Sequence, residues 1–276
     1  MDRREQNIRV FFDTENWMRS TEKLRRAVRR SRQGSRLILP EEEIVLTPGK
    51  ADRAGIISVT EERTGQAVRR LAGEFPQSRI CILNFASATT PGGGVRRGSS
   101  AQEESLCRIS TLYGVLSDPG YREAFYEFHR KLADPRYTDA CIYTPDIVIC
   151  KSDTAVPERL PEEEWKHTDV ITCAAPNLRP APDAVPVSAQ ELYDIQLSRA
   201  RRILAVAAGA GADIFVGGAF GCGAFRNDPE VVADAWHEAV KDFGRYFDRI
   251  VFAVFCPPSD RHNYEAFSSR FSEDKG

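Results

Sequence analysis

No run of roughly 18 apolar residues occurs in this 276-residue chain, so no membrane-spanning helix is expected. The N-terminus, MDRREQNIRVFF, lacks the apolar core of a secretory signal, and a cytoplasmic location is expected. Neither sign of charge is in excess: 38 Lys and Arg face 40 Asp and Glu, for a net charge of −2. A protein held to nucleic acid by bulk charge would be strongly basic, so direct nucleic-acid binding is not expected. Cysteine pairs are missing too. The seven, at 81, 107, 141, 150, 173, 222 and 256, show no CxxC spacing, and several sit in apolar stretches such as ICIL and VICK. They read as free buried thiols, not as disulfide or zinc ligands. The four histidines are scattered, so no metal site and no cofactor is expected.

What is present alternates strand and helix. Residues 1–40 read as an N-terminal appendage, partly helical and basic, and 41–276 as the catalytic body. In the first part IRVFF (8–12) predicts a short strand. The stretch Arg19 to Arg36, with eight Lys or Arg against Glu22, predicts a helix with Leu24, Ala27 and Val28 on one stripe. Its charge is that of a solvated helix face, with attraction of an anionic polymer as the other use. GIISVT (55–60) predicts a strand and ERTGQAVRRLAGEF a helix. RICILNF (79–85) is an apolar run of buried-strand length. AQEESLCRISTLYGVL and YREAFYEFHRKLA predict helices, and DIVIC and DVITCA predict strands. Past a proline-rich link, PNLRPAPDAVP, the pattern gives helix 189–208, strand DIFVG, helix 229–245 and strand RIVFAVF. This alternation predicts an α/β fold, a sheet covered by helices on both faces. Ligands of such folds sit where strand C-termini turn into loops.

Two of those loops are rich in glycine. The first runs from Asn84 through Gly92-Gly93-Gly94 to Gln102-Glu103-Glu104. Consecutive glycines let a backbone approach a ligand closely, and their N–H groups are expected to form a concave anion site. The second is Gly217-Gly218-Ala219-Phe220-Gly221-Cys222-Gly223-Ala224-Phe225. It lacks the GK[ST] of a Walker loop and the third glycine of a dinucleotide fingerprint. A glycine-lined strand-to-helix loop still offers N–H groups to phosphate, so the two loops could grip a diphosphate between them. Phe220 and Phe225 could either pack beneath the second loop or stack on a ribose or base.

Glu103 and Glu104 open the helix after the first loop. Ser100-x-x-Glu103 has the form of a capping box, which alone would account for Glu103. Neighbours on a helix lie about 100° apart, so the two carboxylates are expected to have different jobs. Nor can adjacent residues flank a sugar as the paired carboxyls of most glycosidases do.

The spacing GGG, seven residues, QEE (Gly92-Gly93-Gly94-VRRGSSA-Gln102-Glu103-Glu104) resembles the signature of the poly(ADP-ribose) glycohydrolases. NFASA resembles their strand-to-loop segment, and GGAFGCGAFRNDP their diphosphate-binding loop. YTPDIVICKSD with the later ITCAAPN is similar to the compact bacterial and fungal branch. The resemblance runs from about 55 to 258. It implies a macrodomain, with a mixed, mostly parallel sheet sandwiched between helices. It implies hydrolysis of ribose–ribose O-glycosidic bonds of poly(ADP-ribose), on its own or on modified proteins, mainly from the polymer end, with ADP-ribose as product. Carried over by position, Glu104 is the catalytic acid and Glu103 fixes the reacting ribose. Gln102 supports the loop, and Gly92, Gly93 and Gly94 approach the diphosphate and distal ribose. Gly218, Ala219, Phe220, Gly221, Cys222, Gly223 and Ala224 form the second diphosphate loop. Phe225 packs near the scissile bond, and Phe255 contacts adenine. Asn84 and Ser87 join the substrate-binding set. Larger relatives carry Asn where Ser87 stands, so an amide contact to ribose is not expected there. A non-catalytic ADP-ribose-binding macrodomain and a mono-ADP-ribosyl-protein hydrolase are the alternative uses of such a cleft. The first would not require both carboxylates.

Overall fold

A computed structural model of the chain describes residues 2–46, 49–50, 55–180 and 186–272. Among these the strands are β1 (Arg36–Ile38), β2 (Ile56–Thr60), β3 (Ile80–Phe85), β4 (Cys141–Ile149), β5 (Lys166–Cys173), β6 (Ile214–Gly217) and β7 (Arg249–Ala253). The helices are α1 (Arg3–Ser20), α2 (Glu22–Gly34), α3 (Thr64–Glu74), α4 (Gln102–Ile109), α5 (Leu112–Leu116), α6 (Pro119–Tyr121), α7 (Phe128–Leu132), α8 (Ala189–Gly209), α9 (Pro229–Phe243) and α10 (His262–Ser272). A π-helical turn, Arg122–Glu127, joins α6 to α7. No described helix is long and apolar enough to cross a membrane. Part of the proline-rich link, 181–185, lies outside the described residues.

The sheet order is β1-β4-β5-β3-β6-β7-β2. β5, β3, β6, β7 and β2 are parallel, while β4 is antiparallel to both β5 and β1. The apolar run 80–85 is thus the middle strand. Side chains on a strand alternate between faces. Ile80 and Ile82 pack with Val68 and Leu71 of α3 and with Leu106 and Ile109 of α4. Cys81 and Leu83 pack on the opposite face with Ile203 of α8 and Trp236 of α9. Continuing that parity, Asn84 falls on the α3–α4 face and Phe85 on the α8–α9 face, so one strand end supplies both walls of the crevice beyond it.

Three expectations change. Residues 8–12 are not a strand but the middle of α1, whose N-cap is the Asp2 side chain accepting from the Glu5 N–H. Their apolar residues serve a helical stripe: Phe11 is fully buried in the α3–α4 core cluster, and Met18 packs with Leu24 and Ala27 of α2 over β4. Residues 2–40 therefore pack into the body through α1 and α2, and β1 extends the sheet. The stretch from Gln102 to Leu116 is two helices. The Ile109 carbonyl accepts from the Cys150 N–H and Thr111 N–H donates to Val148 O, so the end of β4 replaces the helical partners at Ser110 and Thr111. Finally, α10 was not foreseen. Its Phe267 and Phe271 close the core against Phe252 of β7, with Phe252 and Phe271 stacked 4.4 Å apart.

Candidate active site

The C-terminal ends of β5, β3, β6 and β7 lie side by side, as their register requires. The loops leaving them enclose a cleft of about 790 Å³. The loop after β3 and the start of α4 make one wall, the loop after β6 another, and Val254, Phe255 and Asn263 a third.

Glu103 and Glu104 stand in the first turn of α4, 2% and 7% exposed. The capping box does not form: the N-cap is Ala101, with no side-chain cap. Instead Glu103 reaches back to the end of β3. Its Oε2 accepts the Ser87 N–H at 2.7 Å, and its Oε1 accepts the Asn84 amide at 3.3 Å. Asn84 also donates to Thr172 of β5 at 3.2 Å. Burial, reinforced by the neighbouring Glu104 charge, pushes Glu103 up to about 8 despite hydrogen bonds from Ser87 and Asn84. Glu104 turns to the other side of the loop. Its Oε1 accepts the Gly94 N–H at 2.8 Å. Its Oε2 is buried with no hydrogen-bond partner among the described residues.

The triple glycine therefore differs from the open anion cradle expected. The Gly93 N–H donates to Thr90 O at 2.9 Å, while the Gly94 N–H donates to the Glu104 carboxylate. The backbone requires glycine at Gly93, where φ is +58° and a Cβ would lie 2.5 Å from Glu104 Oε1 and 3.0 Å from Glu103 Oε2. Gln102 ties this assembly to the sheet. It accepts from the Phe85 N–H at 2.9 Å and donates to Leu83 O at 2.8 Å and Thr64 Oγ1 at 3.1 Å.

The second loop is braced from behind. Asn227 donates to Pro176 O at 2.7 Å and accepts from Gln196 at 2.6 Å, and Gln196 also reaches Phe220 O. Gly221, at φ +85°, passes so near Ala175 that a Cβ would lie 2.6 Å from the alanine methyl. The loop is thereby held at the cleft with Ala219, Gly221, Gly223 and Ala224 on its wall.

Most residues singled out from the sequence meet at this cleft, though not in the same way. Ser87, Gly93, Gly94, Gln102, Glu103, Glu104, Phe225 and Phe255 line it. Asn84 is fully buried behind Glu103, where its amide donates to that carboxylate. Gly92 and Gly218 are not on the cleft wall; a Cβ at Gly92 would meet Tyr113 and Cys107, and one at Gly218 the Ala253 carbonyl and Phe85. Cys222, too, is absent from the cleft wall, and burial raises its thiol pKa. The Phe220 ring is fully buried against Phe85, 5.7 Å away, and the residue also borders the cleft. Phe225 is half-buried beside Tyr137. Phe255 is 49% exposed, with the Arg63 guanidinium 3.8 Å over its ring. Arg179, on the segment following β5, was missed. It lines the cleft, steadied by Asn177 at 3.1 Å. Its signal was its place just beyond a strand C-terminus. Among the described residues no cluster of three or more His, Cys, Asp or Glu could hold a metal ion.

Residues 11–152 match the family described as microbial-type PARG, catalytic domain, a span that begins inside α1. The solved poly(ADP-ribose) glycohydrolase of Thermomonospora curvata is 33% identical, covers 97% of this chain and 100% of its own, and superposes with a TM-score of 0.85. The T. curvata structure bound to the inhibitor ADP-HPD is 35% identical over 97% of this chain and 100% of its own, with a TM-score of 0.83. That of Deinococcus radiodurans in complex with ADP-ribose is 33% identical over 89% of this chain and 97% of its own, with a TM-score of 0.77. No curated protein matches the chain.

Proposed function

Starting from the chain's membership of the microbial-type poly(ADP-ribose) glycohydrolase family, we propose that it hydrolyses ribose–ribose O-glycosidic bonds of poly(ADP-ribose), mainly from the polymer end. Free polymer and poly(ADP-ribosyl)ated proteins are its substrates, and ADP-ribose is its product. The terminal ADP-ribose lies in the cleft with its diphosphate against the Gly221–Gly223 loop and Arg179, its adenine beside Phe255 and its distal ribose over the two glutamates.

The observation that carries this reading is the asymmetry of the pair. Glu103 has both oxygens engaged at the root of the loop, whereas Glu104 has one oxygen fixed by Gly94 and the other without a partner. A fixed carboxyl whose second oxygen has no hydrogen-bond partner among the described residues suits a group that must exchange a proton with substrate. In the first step Glu104 Oε2 gives its proton to the 2′-oxygen of the leaving unit while the anomeric C–O bond breaks. The distal ribose becomes oxocarbenium-like. Water then bonds to the anomeric carbon, and its proton passes to Glu104. One group serves as acid and then base, as a lone reactive carboxyl requires. Glu103, Asn84 and Gln102 hold the geometry within which small displacements would be costly.

Digestion of polymer of defined length, resolving ADP-ribose from oligomers, tests the reading. Early release of ADP-ribose with gradual shortening of the chains is expected. Early release of oligomers would overturn the preference for chain ends, and release of neither would overturn the activity.

A further inference from the structure

A second cavity, of about 400 Å³, opens from the cleft across the rim formed by Arg97, Ser99 and Ser100, which line both. Its outer wall is the start of α1, with Arg3, Arg4 and Asn7. The two walls are joined. Arg4 Nε donates to Arg97 O at 2.8 Å and Asn7 to Gly98 O at 3.0 Å. Gly98, at φ +80°, leaves room for Arg4, whose Cγ would lie 2.8 Å from a Cβ there.

The charges set this cavity apart from the rest of the basic N-terminal segment. On α2, Arg25 and Arg26 pair with Glu22, Arg30 with Asp146, and Arg32 lies 3.7 Å from Asp118. Arg3, Arg4 and Arg97 have no ion-pair partner among the described residues, and all three are exposed. Three uncompensated guanidiniums around one cavity make a site for an anion with several oxygens. A smaller cavity of about 230 Å³ also adjoins the cleft, but there the one guanidinium, Arg63, faces the buried Asp153 carboxyl across the same lining.

The cavity also lies at the reacting end. Gly94, whose N–H holds Glu104, accepts from the Ser99 N–H at 3.2 Å through its carbonyl, so the shared rim is one residue contact from the carboxyl. The bond to be cut joins the ribose at Glu104 to the next unit of the chain. That unit must leave the cleft beside Glu104 and carries its own diphosphate. Resting on the glycohydrolase reading, we propose that Arg3, Arg4 and Arg97 form a subsite for the leaving segment, binding the diphosphate of the ADP-ribose unit next to the one being released.

The test compares two substrates in the wild type and in the Arg3→Gln/Arg4→Gln variant. One is polymer. The other is an ADP-ribose glycoside with a small uncharged leaving group, which has no second diphosphate. For the variant, kcat/KM on polymer is expected to fall about tenfold or more, the scale of losing one charged hydrogen bond. Its salt dependence should flatten by roughly 0.7 per lost phosphate contact on a log–log plot. Turnover of the small glycoside and the melting temperature should stay at wild-type values, and Arg3→Lys/Arg4→Lys should recover most of the polymer activity. An equal loss on both substrates, or no loss on either, would overturn the subsite. Failure of the wild type to cleave either substrate would instead defeat the glycohydrolase reading beneath it.

Discussion

The Gly94 main-chain N–H donates to Glu104 Oε1 at 2.8 Å, across the turn that separates the first glycine loop from α4. The loop and the carboxyl are thus a single unit, and the adjoining glycine is where it can be disturbed. At Gly93 any side chain must adopt a left-handed backbone, costing about 1–2 kcal/mol, and displace Glu104 as well. Gly93→Ala is expected to lower kcat at least ~100-fold, because reaction geometry tolerates little misplacement. Single-turnover kinetics measure it, and unchanged kcat would contradict the close approach.

Glu103 is expected to leave a signature in stability. Its pKa lies near 8 in the folded protein against an ordinary 4.5. Between those values the native state binds a proton that the unfolded chain has released, so this group lowers stability as pH rises. Glu103→Gln keeps an oxygen for the Ser87 N–H and cannot ionise. Its melting temperature, measured from pH 4.5 to 8, should decline less steeply than that of the wild type. Parallel slopes would show that Glu103 does not carry the shift.

Phe11 ties α1 to the core formed by α3, α4 and α5. Phe11→Ala is expected to destabilise the chain by about 3–5 kcal/mol in urea unfolding, the cost of emptying a large buried site. A loss under ~1 kcal/mol would mean that the N-terminal helices are dispensable to the fold.

Phe255 offers an exposed ring to the cleft while Arg63 covers it at 3.8 Å. If adenine stacks there, Phe255→Ala should weaken ADP-ribose binding by about 1–3 kcal/mol in calorimetry. Because the ring is remote from the glutamates in the proposed pose, kcat should change little. Undiminished affinity would place adenine elsewhere.

The unbroken apolar run at 79–85 makes the central strand legible, and the two-residue repeat of a strand then divides its side chains between the two core faces. The QEE cluster after the glycines made the carboxylates legible. What sequence reading could not supply were partners distant along the chain. Ser110 and Thr111 break a helix whose pattern continues through them, because β4, about 40 residues on, takes the hydrogen bonds. Residues 8–12 hold several apolar residues in close succession and imitate a strand, while the helical stripe is visible only over the longer span from Phe11 to Met18. The glycines point to a close approach, and in the structure the groups that approach Gly93 are Glu104 and Glu103.

The proton-exchanging role of Glu104 is tested most directly with Glu104→Gln, by measuring ADP-ribose affinity and polymer turnover on the same preparation. The amide keeps an oxygen for the Gly94 N–H but carries no exchangeable acid. Affinity close to wild type with turnover reduced by at least ~100-fold is the expected result, the scale of lost general acid–base catalysis. Turnover at the wild-type rate would contradict the account.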